Sequence, residues 1–222
     1  MRCTTTELFD LTHTLAAPLL QRMEYPWEAL PKLHDFILQL GAILPASEYE
    51  EISEHVWVAR NADVALSASL EGPCIIGHHT QVRHCAYIRG DALVGDHCVV
   101  GNSTELKNVI LFDSVQVPHF NYVGDSILGY MSHMGAGAIT SNVKSDKTKV
   151  TVKDDASGKA IATKLEKLGA MLGDRVEIGC NSVLNPGTVI GRDTSVYPLT
   201  NVRGVVPENS ILKQNGVLAI KL

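Results

Sequence analysis

Residues 56–112 read VWVARNADVALSASLEGPCIIGHHTQVRHCAYIRGDALVGDHCVVGNSTELKNVILF. An aliphatic or aromatic residue recurs every sixth position: Val58, Val64, Leu70, Ile76, Val82, Ile88, Val94, Val100, Leu106 and Phe112. Two residues before each is a second ladder, mostly small: Val56, Ala62, Ala68, Cys74, Thr80, Ala86, Ala92, Cys98, Thr104 and Ile110. A helix repeats near 3.6 residues and a strand near 2, so neither alone produces a strict period of six. A short strand followed by a tight corner does, when repeated. The large residue fills a narrow interior and the small one fits the corner. The chain should therefore coil as a β-solenoid whose turns stack at about 4.8 Å, the spacing of neighbouring strands.

The ladder traces back to Ile52. It slips by one residue between Phe112 and Val117, and again between Val123 and Leu128, before reaching Met134. After a gap it returns as Leu172, Ile178, Leu184, Ile190, Val196 and Val202. Glycine often follows the ladder residue, as at Gly77, Gly95 and Gly179, where a corner needs unusual backbone angles or close approach. Three corners would close a triangular coil of 18 residues. An ordinary antiparallel sheet fits poorly, since its strands alternate at period two with turns every 8–12 residues. The two slips flank Val117-Pro118-His119-Phe120-Asn121-Tyr122, and a solenoid that breaks its period commonly does so at a loop that carries function.

The 222 residues suffice for one solenoid with an added element, and the formal net charge of −5 gives no electrostatic case for nucleic acid. No apolar run is long enough to span a membrane and no secretory leader is evident. Five cysteines at irregular spacing, without a CxxC pair, suit a reduced, cytoplasmic setting. Cys74 and Cys98 fall on the small ladder and read as core residues.

Residues 1–45 depart from the ladder. Thr4 and Glu7 form a capping-box pattern ahead of Leu8, Leu11, Leu15 and Leu19. A second helix should begin near Tyr25-Pro26-Trp27, with proline at an early helical position, and stop near Gly41. The expectation is two α-helices that dock on the solenoid domain (residues 46–222) and protect its first coil. Residues 143–171 interrupt the ladder. Val150-Thr151-Val152 and Ala160-Ile161-Ala162 flank Asp154-Asp155-Ala156-Ser157-Gly158, which reads as an inserted β-hairpin. Lys144, Lys147, Lys149, Lys153, Lys159, Lys164 and Lys167 cluster there. They could hold phosphate or simply solvate the hairpin and discourage edge pairing.

The stretch GNSTELKNVILFDSVQVPHFNYVGDSILGYMSHMGAGAITSN (residues 101–142) contains the motifs G-N-x-x-E-x-K, H-x-x-Y-x-G-D and G-A-G-x-I-x-x-N. In these motifs and their spacing the chain resembles the acetyltransferase half of the bifunctional UDP-N-acetylglucosamine pyrophosphorylase/glucosamine-1-phosphate N-acetyltransferase family. It is most similar to the archaeal sugar-1-phosphate nucleotidylyltransferase/acetyltransferase type. With that type it shares Tyr25-Pro26-Trp27, the Asn-Tyr-Val-Gly-Asp-Ser string at residues 121–126, and a Lys-rich insertion before Lys167-Leu168-Gly169-Ala170. The resemblance spans roughly residues 25–210. It implies a left-handed parallel β-helix, a trimer with sites between subunits, and acetyl transfer from acetyl-CoA to the amine of an amino-sugar 1-phosphate. It implies His119 as general base and the Ala136 N–H as donor to the thioester oxygen. It places Arg89 and Lys107 on the sugar phosphate, Tyr122 beside the sugar, and Asn142 and Lys147 in a site shared between chains. No metal is required for such a transfer.

The chemistry agrees with those residue types. The attacking amine must shed a proton, and an imidazole with pKa near 6.5 can take it. Gly135-Ala136-Gly137 leaves room for a backbone donor at the developing oxyanion. Arginine offers a fork and lysine a point charge to a phosphate. Arg89 and Lys107 are one coil apart, and Glu105 should point the same way as Lys107 and orient or pair with it.

The chain also departs from that family. Only helical sequence stands where relatives carry a nucleotidyltransferase domain, so no nucleotidyltransferase activity is expected. His133 replaces an asparagine beside the sugar, Cys180 a serine near CoA, and Pro198 a small alanine; the acceptor could be glucosamine 1-phosphate, galactosamine 1-phosphate or another amino sugar. γ-type carbonic anhydrases share the ladder and bind metal through three histidines, but His79, His84 and His119 do not have the required spacing. A non-catalytic solenoid that binds a sugar nucleotide, or assembles with a separate nucleotidyltransferase, is the alternative; the retained Arg89, Lys107, His119 and Tyr122 argue against it.

Overall fold

The six-residue ladder folds as expected into a parallel β-helix of about eight coils. The computed structural model describes residues 3–153, 158 and 160–221. Each coil lays one short strand on each of three faces. The first face carries Val56–Ala59, Cys74–Ile76, Ala92–Val94, the later part of Glu105–Leu111 and of Tyr122–Leu128, Ala170–Leu172, Thr188–Ile190 and Val205–Val206. The second carries Asp63–Val64, Gln81–Val82, Val99–Asn102, Gln116–His119, His133–Met134, Glu177–Ile178, Ser195–Val196 and Ser210–Leu212. The third carries Ser69–Glu71, Tyr87–Arg89, the start of Glu105–Leu111 and of Tyr122–Leu128, Ile139–Thr140, Val183–Leu184 and Asn201–Val202.

The interior is the ladder itself. Val82, Ile88, Val94, Val100, Leu106, Val117, Val123, Leu128 and Met134 are all fully buried. Burying each stabilises the coil by roughly 1.5–3 kcal/mol. The corner between the second and third faces repeats with the same geometry. Its second residue is left-handed in successive coils: Cys85, Ser103, Phe120, Gly137, Asn181 and Leu199. That residue's N–H donates to the carbonyl one coil earlier, as in Ser103 to His84 (3.3 Å), Phe120 to Asn102 (3.0 Å) and Gly137 to His119 (3.0 Å). Asn181 to Ala136 (2.8 Å) and Leu199 to Cys180 (2.9 Å) continue the series. The hydrogen bond offsets the cost of placing a side chain in that region.

The period begins at 18 residues, since Tyr87 pairs with Ser69 and with Glu105. It shortens to 17 from Glu105 to Tyr122. The lost residue corrects the sequence reading. Leu111, not Phe112, lies opposite Val94. The first slip therefore falls between Leu106 and Leu111, not between Phe112 and Val117. At the corner between the third and first faces, Gly90 and Asp91 are both left-handed, whereas Asn108 alone turns the next coil and Asp125 alone the one after. The strands Glu105–Leu111 and Tyr122–Leu128 consequently run straight through that corner. Phe112 sits at the following corner and packs on Phe9, with ring centroids 5.0 Å apart.

The N-terminal segment is helical but more broken than two helices. It comprises Thr5–Leu8, a 3-10 turn Leu11–His13, Ala17–Leu20, a 3-10 run Pro26–Lys32 and the helix Leu33–Gly41. The expected Thr4 cap makes no side-chain bond. Phe9 is extended, and the Asp10 carboxylate accepts the Thr12 N–H (3.1 Å), which starts a new turn. The Asp10 N–H donates to Asp174 (2.8 Å) and the Asp113 N–H to the His13 carbonyl (3.0 Å), so the segment is laced to one corner of the solenoid. Pro26 stands at an early helical position as expected, and Pro31 interrupts the same run.

These elements cover the first face, and the helix Leu33–Gly41 ends against the first coil, where a Cβ on Gly41 would stand 2.4 Å from the Trp57 ring. Ile75, Leu93, Ile110, Ile127 and Met171, the middle residues of that face, are buried along with Trp27, Leu30, Leu33 and Ile37. The sheet edge at the first coil is paired by Tyr49–Ser53, antiparallel to Val56–Ala59, and the last coil by Leu218–Ile220, antiparallel to Ser210–Leu212. The insertion leaves after Ile139–Thr140 and rejoins at Ala170–Leu172. Its hairpin pairs Thr151–Lys153 with Ala160–Ala162. Of the expected turn, Asp154, Asp155, Ala156 and Ser157 lie outside the described residues, as does Lys159 of the lysine cluster. Val150 and Val152 are buried where a Cβ on Gly187 would stand 2.6 Å from Val150, which seats the hairpin against a coil.

Candidate active site

One edge of the solenoid collects four of the expected residues. His119, Ala136, Cys180 and Pro198 are successive first residues of the corner between the second and third faces, linked by the turn hydrogen bonds given above. Glycine lets these corners approach. A Cβ on Gly135 would stand 2.7 Å from the Cys180 nitrogen, and one on Gly179 would stand 2.3 Å from the Pro198 nitrogen. Gly137 has φ +71° and would meet the Asn181 side-chain oxygen. The Gly-Ala-Gly corner is thus dictated by stacking.

The His119 side chain is exposed, and its imidazole has no hydrogen-bond partner among the described residues. Its backbone is held. The His119 N–H donates to Asn121 Oδ1 (3.1 Å), and Asn121 Nδ2 donates to the Gly135 and Ala138 carbonyls (both 2.9 Å). Asn121 is buried, so one amide ties the histidine to the Gly-Ala-Gly corner on the next coil. The Ala136 carbonyl accepts from Asn181, whereas its N–H has no acceptor among the described residues. The edge therefore presents an unpaired imidazole and, one coil on, an unpaired backbone donor.

Beyond that edge, the third face carries the charged residues. Arg89 Nη1 donates to Glu105 Oε1 (3.0 Å), and this hydrogen bond raises the guanidinium pKa further above its ordinary value. Lys107 Nζ lies 3.0 Å from Asp125 Oδ1. The same oxygen accepts Asn108 Nδ2 (2.8 Å), and Asp125 Oδ2 accepts Asn142 Nδ2 (2.5 Å). Asn142 Nδ2 also reaches the Tyr122 hydroxyl (3.3 Å). Burial, followed by the charges of Asp125 and Glu105, pushes the Tyr122 phenol above its usual pKa. Tyr122 stands directly above Glu105, and Gly124 above Lys107. A Cβ on Gly124 would lie 2.5 Å from the Tyr122 hydroxyl, so glycine is what lets that ring lie across its own strand.

The sequence thus leads to a connected set: Arg89 with Glu105, and Lys107 with Tyr122 and Asn142. Glu105 pairs with Arg89, while the partner of Lys107 is Asp125, because the one-residue corner brings Asp125 back over the lysine. Two expected residues stand apart. His133 Nδ1 lies 2.9 Å from Glu177 Oε2 on the second face, across the edge from Tyr122. Lys147 is exposed in the insertion, its N–H bonded to the Lys144 carbonyl (3.0 Å), with no side-chain partner among the described residues. Sequence reasoning missed Asn108, Asn121 and Asp125. Asn121 and Asp125 lie inside the HFNYVGD string, whose fixed spacing was the available signal.

The histidines elsewhere do not gather. The His79 and His97 rings stack at 4.9 Å, and among the described residues no three His, Cys, Asp or Glu side chains group as metal ligands. Among the described residues no helix is long and apolar enough to cross a membrane.

The fold and this edge define the chain as a hexapeptide-repeat β-helix protein. The profile of the GMPPB C-terminal domain family matches residues 70–166. Similar curated proteins include several named as bifunctional. The bifunctional protein GlmU of Methanococcus maripaludis is 33% identical over 135 residues, covering 61% of this chain and 32% of that protein. The bifunctional sugar-1-phosphate nucleotidylyltransferase/acetyltransferase of Sulfurisphaera tokodaii is 33% identical over 113 residues, covering 51% and 28%. The chain spans about a third of the length of these curated relatives. Among solved structures, the GDP-perosamine N-acetyltransferase of Caulobacter crescentus in complex with CoA and GDP-perosamine gives a TM-score of 0.39 at 17% identity, covering 74% of this chain and 56% of that one. AntD, an N-acyltransferase from Bacillus cereus in complex with dTDP and coenzyme A, gives 0.40 at 15%, covering 75% and 81%.

Proposed function

We propose that the chain transfers an acetyl group from acetyl-CoA to the amine of an amino-sugar 1-phosphate. The observation that carries this reading is the edge itself. An unpaired imidazole and an unpaired backbone N–H occupy consecutive coils, beside a face bearing an arginine, a lysine and a half-buried tyrosine. The relatives named bifunctional acetyltransferases support the same class of reaction.

In this mechanism the amine lone pair attacks the thioester carbonyl carbon. Charge builds on the carbonyl oxygen, which accepts the Ala136 N–H. His119 takes the proton that the amine loses, the C–S bond breaks, and the CoA thiolate leaves and is protonated. No enzyme-bound acyl group is required, because the thioester is already activated. Arg89 and Lys107 hold the phosphate, and Tyr122 packs beside the sugar. Cys180 and Pro198 continue the same edge column, where they line the path for CoA. Acetyl-CoA as co-substrate accords with a cytoplasmic setting.

An edge is open on one side, and Lys147 lies away from the cluster within one chain. A homotrimer, in which a neighbouring copy supplies Lys147 and His133 faces the acceptor, would complete the site. The test is release of free CoA thiol when purified protein meets acetyl-CoA and glucosamine 1-phosphate or galactosamine 1-phosphate. Acceptor-dependent release supports the reading and ranks the sugars. Absence of release with either, from folded protein, would sink it in favour of a binding role.

A further inference from the structure

We infer that Asp125 is a positioning residue that aligns Lys107 and Asn142 for the phosphate-bearing acceptor, an inference that rests on the reading just given. Among the described residues the buried carboxylates are Asp125, at 3% exposure, and Asp174. Asp125 accepts from three side chains: the neighbours Lys107 and Asn108 on one strand, and Asn142 beyond the next strand of the same face. Lys107 and Asn108 share Oδ1 at 3.0 and 2.8 Å, and Asn142 binds Oδ2 at 2.5 Å. Asn142 passes the contact on to the Tyr122 hydroxyl.

This contrasts with the other cation of the face. The Arg89–Glu105 pair is exposed at the arginine and only partly buried at the acid, so a phosphate can displace Glu105 at modest cost. The Lys107 pair has its acid end in the interior, where loss of the ammonium leaves a buried carboxylate without its counter-charge. Lys107 therefore stays in place whether or not acceptor is bound, while an ammonium with three donors retains two for the phosphate. The one-residue corner serves the same end. Dropping the residue at Asn108 carries Asp125 over Lys107, and its φ of 49° turns the chain in a single step. The two period slips thus build the anion-facing corner of the site, and Asp125 is the group that both of them position.

The test compares wild type with Asp125→Asn, Lys107→Met and the double variant. Two quantities are read: KM for each substrate, and calorimetric affinity for glucosamine 1-phosphate without acetyl-CoA. Asp125→Asn should weaken acceptor affinity and raise acceptor KM by about tenfold or more, with acetyl-CoA KM within about twofold. The double variant should be no worse than Lys107→Met alone, because Asp125 acts through the lysine. Independent, multiplying effects would overturn the inference. So would a parallel loss in both KM values together with a lowered melting temperature, which marks a purely structural role. If Asp125→Asn fails to fold, Asn142→Ala takes its place and should shift acceptor KM in the same sense. Wild-type turnover with an unaffected Asp125→Asn overturns this inference and leaves the proposed reaction standing. A wild type that neither binds nor acetylates the sugar phosphate overturns both.

Discussion

Gly124→Ala should disable the site while sparing the fold. The added Cβ would lie 2.5 Å from the Tyr122 hydroxyl oxygen and 2.8 Å from its ring carbon Cζ, where ordinary contact begins at 3.4 Å. Gly124 is not in the left-handed region, so the backbone accepts alanine without strain. What must yield is the ring, by about 1 Å, and a misplacement of that size at a reacting centre costs on the order of 10²-fold in rate. The ring also gives up its 3.3 Å contact with Asn142. The assay is acetyl transfer at saturating acetyl-CoA across an acceptor series, with thermal melting in parallel. Loss should fall on acceptor kcat/KM, with the melting temperature lowered by only a few degrees. Full activity in a folded Gly124→Ala would refute the placement of Tyr122 against the acceptor. Collapse of the fold would refute the argument that a movable ring, not backbone, fills that space.

Asn121→Ala strands the Gly135 and Ala138 carbonyls and loosens the His119 N–H, so unfolding free energy should drop by roughly 2–4 kcal/mol in denaturant titration; an unchanged midpoint would show that the amide does not link the two coils. Burial raises the Asp113 carboxyl above the ordinary carboxylate range, so protonation favours the folded state and this contribution is lost as pH rises through the folded pKa. Asp113→Asn, which keeps an oxygen for the Asp96 N–H, should therefore melt higher than wild type at pH 7 and no higher at pH 3; the reverse order would contradict the sign.

Much of the fold was legible because the interior of a narrow solenoid admits one large residue per strand, which leaves a period no other element imitates. The first slip was misplaced because Leu111 and Phe112 are both apolar and buried, so hydrophobicity alone does not choose between them. Only pairing with Val94 does. Leu8, Leu11, Leu15 and Leu19 suggested an unbroken first helix of two. Their spacing is set instead by docking along a corner, where Phe9 meets Phe112 and Asp10 meets Asp174. In the site, the exposed His119 and the Gly-Ala-Gly corner were visible through motif and chemistry. Asp125 stands in the H-x-x-Y-x-G-D motif, but its role was not legible there, since it arises from stacking between coils.

In the proposed reaction His119, at an exposed corner, removes the proton from the attacking amine. This step is tested most directly by comparing wild type with His119→Ala for acetylated sugar phosphate, identified by mass spectrometry, alongside the melting temperature of each. His119→Ala should lower the rate by about 10²–10⁴ with the melting temperature little changed, since the side chain is exposed and makes no hydrogen bond among the described residues. A folded His119→Ala that forms product at the wild-type rate would contradict it.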